Sequence, residues 1–91
     1  MHNIEEVIVG FEGVSQAIMA EQALTEHGLQ VRVMPMPASI RAGCGFCLRF
    51  LPEDLTKAAA FLAERGLPIK EAWVKSPDAK SYRKVGIDGN G

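Results

Sequence analysis

LTEHGLQV (Leu24–Val31) is echoed 38 residues later by LAERGLPI (Leu62–Ile69). Leu24, Glu26, Gly28, Leu29 and Val31 map onto Leu62, Glu64, Gly66, Leu67 and Ile69. Each copy reads as the end of a helix, a glycine stop and the entry to a strand. Upstream of the first copy, Ile4 to Phe11 alternates as a strand, with Val7, Val9 and Phe11 on one face and Ile8 and Gly10 on the other. Gly13-Val14-Ser15 breaks that run, and Ser15 is the expected N-cap of a helix reaching His27. Ala17, Ala20, Ala23 and Leu24 form its stripe, and Ile18 and Met19 widen the arc, so the helix should be well covered.

After Gly28, Leu29 to Met34 reads as a second strand, with Gln30, Arg32 and Met34 on its wetter face. Pro35-Met36-Pro37 should end it, because neither proline can donate to a ladder. Ala38 to Gly43 is a loop. From Gly45 to Leu51 the alternation returns, with Phe46, Leu48 and Phe50 opposed to Cys47 and Arg49. Pro52-Glu53-Asp54 opens a second helix, where proline suits the first turn and two acids suit the positive dipole end. Its stripe is Leu55, Ala58, Ala59 and Leu62. Ile69 to Val74 is a last strand. The polar stretch 76–91 is expected to be a flexible tail beyond a single domain, 1–75.

The order is β-α-β-β-α-β, and the two split β-α-β units predict a ferredoxin-like α+β sandwich. Such a fold has four antiparallel strands in the order 4-1-3-2, with both helices on one face.

Composition narrows the function classes. The 91 residues are 47% hydrophobic and 23% charged, the mix of one small globular domain. Ten basic and eleven acidic residues give a net charge of −1, unlike a nucleic-acid binder that works through phosphate contacts. No apolar run has the length of a membrane span, and Met1 to Glu6 does not read as a signal peptide. The expected location is the cytoplasm, where cysteines stay reduced unless they are chemically active.

The most distinctive segment is Gly43-Cys44-Gly45-Phe46-Cys47, a C-x-x-C motif with glycine on both sides of the first cysteine. Such a pair suggests redox or metal chemistry. In regular strand, residues three apart point to opposite faces with Cα atoms about 10 Å apart. A disulfide needs them within about 7 Å. A Cys44–Cys47 bond therefore requires Cys44 in the loop or a bent strand start, which the glycines permit. The topology sends the first and second strands in one direction. It thereby brings the Pro35–Cys44 loop to the end where the first helix starts, a place that lowers a thiol pKa. Cys47, in mid-strand, reads first as a small apolar residue.

Other candidates have structural readings. Arg49 is solvated, His27 complements the helix dipole, and Trp73 belongs to the core or an interface edge. Glu53 and Asp54 start a helix. Gly10-Phe11-Glu12-Gly13 is too sparse for a phosphate loop.

Pro35-Met36-Pro37, six loop residues and then Cys44-Gly45-Phe46-Cys47-Leu48-Arg49-Phe50 resemble the signature of the DUF3343 family, small bacterial proteins described as selenium/sulfur carrier-like. Ala20-Glu21-Gln22-Ala23-Leu24 ahead of Gly28-Leu29, and Pro52-Glu53-Asp54-Leu55 after Phe50, extend the resemblance over about Val7 to Val74. The family commonly has Pro-Arg-Glu-Ile-Ser before the cysteine. Here Ala38-Ser39-Ile40-Arg41 follows the proline, so Arg41 stands three residues later.

The resemblance implies a cofactor-free, non-enzymatic carrier that holds a persulfide or perselenide on Cys44. It would receive the atom from a donor protein and pass it to an acceptor protein. Cys47 would be a resolving thiol. Gly13, Ser15 and Gly45 would lend backbone N–H groups, Gly43 the bend, and Arg41 or Arg49 a positive field. Two other readings compete. One is a docking or regulatory module without thiol chemistry, in which Gln30, Arg32, Met34, Cys47 and Arg49 on the uncovered sheet face meet a partner or a second copy. The other is a soft-metal (copper or zinc) chaperone using Cys44, Cys47, Met34 and Met36.

Overall fold

A computed structural model describes residues 5–38, 40, 45–75 and 81–87. Strand β1 is Glu6–Gly10, helix α1 Val14–Glu26, β2 Arg32–Pro35, β3 Phe46–Phe50, α2 Leu55–Glu64, β4 Glu71–Lys75 and β5 Arg83–Val85. The sheet order is β2-β3-β1-β4-β5, and every neighbouring pair is antiparallel. The first four strands reproduce the expected ferredoxin-like order. The fifth, which pairs Ala72 with Val85 and Val74 with Arg83, lies inside the stretch read as a tail. Three residues with two cations carry too weak an apolar signal to be read as a strand on their own.

The internal echo corresponds to two equivalent helix stops. Gly28 (φ 94) and Gly66 (φ 74) both take the left-handed conformation that glycine adopts without cost to a Cβ. In each copy the residue after the glycine bonds back across the last turn, Leu29 N to Leu24 O at 3.0 Å and Leu67 N to Leu62 O at 2.9 Å. This six-to-one bond, with its leucine pair, is the Schellman stop.

Three local expectations are corrected. Gly13, in extended conformation, is the N-cap of α1, and Ser15 sits inside the first turn without capping. The carbonyl of Gly13 accepts from Ala17 N at 3.2 Å. Pro35 is the last residue of β2 and not the first beyond it. Met36 N donates to Gly45 O at 2.9 Å, which makes Met36/Gly45 a bonded pair of the β2–β3 ladder. Two residues along, Met34 faces Cys47 as the next bonded pair, and Pro35 falls between them with its nitrogen turned outward. β2 is an edge strand, so no bond is lost. The Pro52–Asp54 segment forms one 3-10 turn, and α2 proper starts at Leu55.

Both sheet faces carry apolar clusters. On the helix face, Val7, Val9, Leu48, Phe50, Ala72 and Val74 pack against Ala17, Ala20 and Leu24 of α1 and Leu55, Ala58 and Leu62 of α2. Ile18 and Met19 remain about half exposed, so the apolar arc of α1 is wider than the surface it covers. On the opposite face, expected to be open, Ile8, Cys47 and Trp73 are buried beneath Met34, Met36, Ile40 and Tyr82. A single alternating strand cannot reveal this second cluster, because Tyr82 reaches it only through the β4–β5 return.

Candidate functional site

The cysteine motif belongs to one end of the sheet. Register places Gly10, the last residue of β1, against Cys47, and Cys47 against Met34. The Gly13–Ser15 entry to α1 follows directly from that end of β1. Gly45, at the start of β3, emerges there too. Arg41, Gly43 and Cys44 lie outside the described residues, as does any Cys44–Cys47 bond. The neighbours on either side are described. Ile40 N donates to Pro37 O at 3.0 Å and the Ile40 side chain joins the second cluster, while Gly45 O is held by Met36 N.

Gly45 is exposed, its φ is not positive, and a Cβ there would meet nothing within 4 Å. Its backbone therefore takes no glycine-only conformation. Gly10 has a packing reason instead. A Cβ on it would come within 3.3 Å of Met36 Cε and 3.6 Å of the Trp73 ring, so its absence lets these two side chains close over the strand.

Cys47 is fully buried, in the cluster with Ile8 and Trp73. Its thiol donates a long hydrogen bond to the Pro35 carbonyl, Sγ to O 3.9 Å. This environment suits a packing role. Met34 and Met36 pack against the same cluster, partly buried. Groups of three or more His, Cys, Asp or Glu side chains able to hold a metal are absent among the described residues.

Arg49 lies two residues beyond Cys47 toward the far end of the sheet, where its guanidinium meets Glu6 Oε2 at 3.4 Å. Its positive charge is thus engaged away from the cysteine end. Arg32 is directly opposite it on β2. Burial raises the Tyr82 phenol above its ordinary pKa of 10.0, and the Glu6 carboxylate and Cys47 add to the rise, while Arg49 opposes it.

His27 is the C-cap of α1 and stacks on Phe61 of α2 at 4.1 Å, with the Arg65 guanidinium 4.4 Å from the same ring. The stack ties the two helices together. Trp73 is buried in the second cluster, which agrees with the core reading.

The comparison with protein families returns a match over residues 6–74, β1 through β4, to the family described as "Putative Se/S carrier protein-like". The chain belongs to this family. No curated protein and no solved structure matches it. The Se/S carrier-like match thus takes in all four strands of the ferredoxin-like order and both helices, whereas β5 and Tyr82 lie beyond it. No helix among the described residues is long and apolar enough to cross a membrane.

Proposed function

We propose that the protein carries a sulfur or selenium atom on Cys44 and hands it to an acceptor protein. The observation that carries this reading is the Se/S carrier-like family match over residues 6–74, which includes the cysteine segment. Support comes from topology: the β2–β3 connection that contains Cys44 leaves the sheet where α1 begins. The free N–H groups and dipole of a helix start favour a thiolate over a thiol.

The transfer needs no cofactor. The Cys44 thiolate attacks the outer sulfur of a donor persulfide, the new S–S bond forms, and the donor leaves as a thiolate. An acceptor nucleophile then attacks that outer atom and releases the Cys44 thiolate. A perselenide follows the same balance. Complete burial of Cys47 favours a carrier that works through Cys44 alone, with Cys47 as packing. A resolving attack by Cys47 would first require the side chains that cover it, Met34, Met36, Ile40 and Tyr82, to move aside.

The exposed Val33 and Phe46, at 42% and 40%, lie on strands that flank the cysteine segment. They favour docking to a donor or acceptor protein as part of the carrier role.

The test is direct. The pH dependence of Cys44 alkylation, measured in a Cys47→Ser background, should give a pKa well below the unperturbed value of about 8.5. Incubation with glutathione persulfide should add the mass of one sulfur atom to the wild type and to Cys47→Ser, and none to Cys44→Ser. An ordinary or raised pKa together with no mass gain overturns the carrier reading.

A further inference from the structure

Met36 N donates to Gly45 O at 2.9 Å, the last bonded pair described at the cysteine end of the β2–β3 ladder. Cys44 is the residue joined to Gly45 in the chain. A pair at the end of a ladder opens easily unless side chains hold it. Here the Met36 side chain supplies the hold. Its Cε is the nearest atom to the place where a Cβ on Gly10 would stand, 3.3 Å away, with the Trp73 ring at 3.6 Å. Gly10 belongs to β1, and β3 runs between β1 and β2, so the thioether reaches across a whole strand. On the other flank, Ile40 N donates to Pro37 O at 3.0 Å and the Ile40 side chain enters the same cluster as Met36 and Trp73. Residues 41–44 thus lie in the chain between two held points.

We propose that Met36 is a positioning residue for the Cys44 thiol. Its main chain fixes the Gly45 carbonyl, and its thioether, seated over Gly10 in the Trp73 cluster, keeps that bond closed. An unbranched, flexible side chain is the type that can cross a strand and fill an irregular gap. Gly10 leaves the room for it. Met36 thereby ties the backbone next to Cys44 to the end of β1, which leads directly into α1. The inference rests on the reading of Cys44 as a thiol activated by that helix start.

The experiment compares Met36→Ala, Met36→Val and Met36→Leu with the wild type in the full-length protein. Leucine conserves most of the volume, whereas alanine and valine are too short to reach Gly10. Hydrogen exchange at the residue-36 amide reads the bond to Gly45. The pH profile of Cys44 alkylation, resolved by peptide mass, reads the thiol. Both short variants should exchange about fivefold faster or more at that amide. Their alkylation midpoint should move up toward the unperturbed value of about 8.5, and Met36→Leu should restore most of both properties. Valine keeps strand propensity, so it carries the test if the alanine variant unfolds. Faster exchange with an unmoved alkylation profile would make Met36 a packing residue only and overturn the proposal. Unchanged exchange in both short variants, or a leucine variant as impaired as alanine, would overturn it too. An ordinary thiol pKa in the wild type would bring down the carrier reading and this inference together. A lowered wild-type pKa that Met36→Ala and Met36→Val leave in place would remove this inference alone.

Discussion

At the residue scale, the two cysteines of one motif differ in setting. Alternation alone puts Cys47 on the face opposite Phe46 and Leu48, and there it lies, fully buried against Ile8 and Trp73. The sequence does not show that this face has a lid, since Met36, Ile40 and Tyr82 come from segments that read as loop or tail. Tyr82 provides a test. Burial holds its pKa above 10.0, with Glu6 and Cys47 adding to the rise. A pKa raised on folding means that the protonated phenol favours the folded state. The contribution is complete below pH 10 and is lost as pH rises through the folded-state value. Urea denaturation from pH 8 to 11 should therefore show a stability loss at the alkaline end that is smaller in Tyr82→Phe. Identical pH profiles would mean that the phenol does not sense the fold.

At the element scale, the repeated helix stop is legible in the residues themselves. A glycine followed by leucine, with a second leucine five residues earlier, defines the Schellman stop in both copies. Gly66→Ala and Gly28→Ala should each cost about 1 kcal/mol, because a Cβ is strained at positive φ although nothing crowds it. Gly45→Ala serves as the control and should be near neutral, since its φ is not positive and its surroundings are open. A loss at Gly45 equal to that at Gly66 would contradict this assignment. The end of β2 is not legible in the same way. Proline breaks a ladder only where its nitrogen faces the partner strand, and that parity depends on the pairing of Met36 with Gly45.

At the scale of the whole molecule, β5 completes the sheet. Removing residues 76–91 deletes the β4–β5 ladder, the Tyr82 lid over Trp73, and Val85 and Ile87 from the main core. The truncated chain should lose about 2 kcal/mol or more, the scale of burying one or two aliphatic side chains. Its tryptophan emission, which reports Trp73 alone, should shift to the red. Unchanged emission and stability would show that the domain ends at β4. The sequence by itself determined the alternating strands, the two helices, the ferredoxin-like order and the prominence of the cysteine motif, because periodicity and turn chemistry act over a few neighbouring residues. Only the tertiary structure decided that Cys47 is covered, that Arg32 faces Arg49 and that Pro35 stays in its strand. Each of these depends on strand register and on chain returning from far along the sequence, which no local pattern encodes.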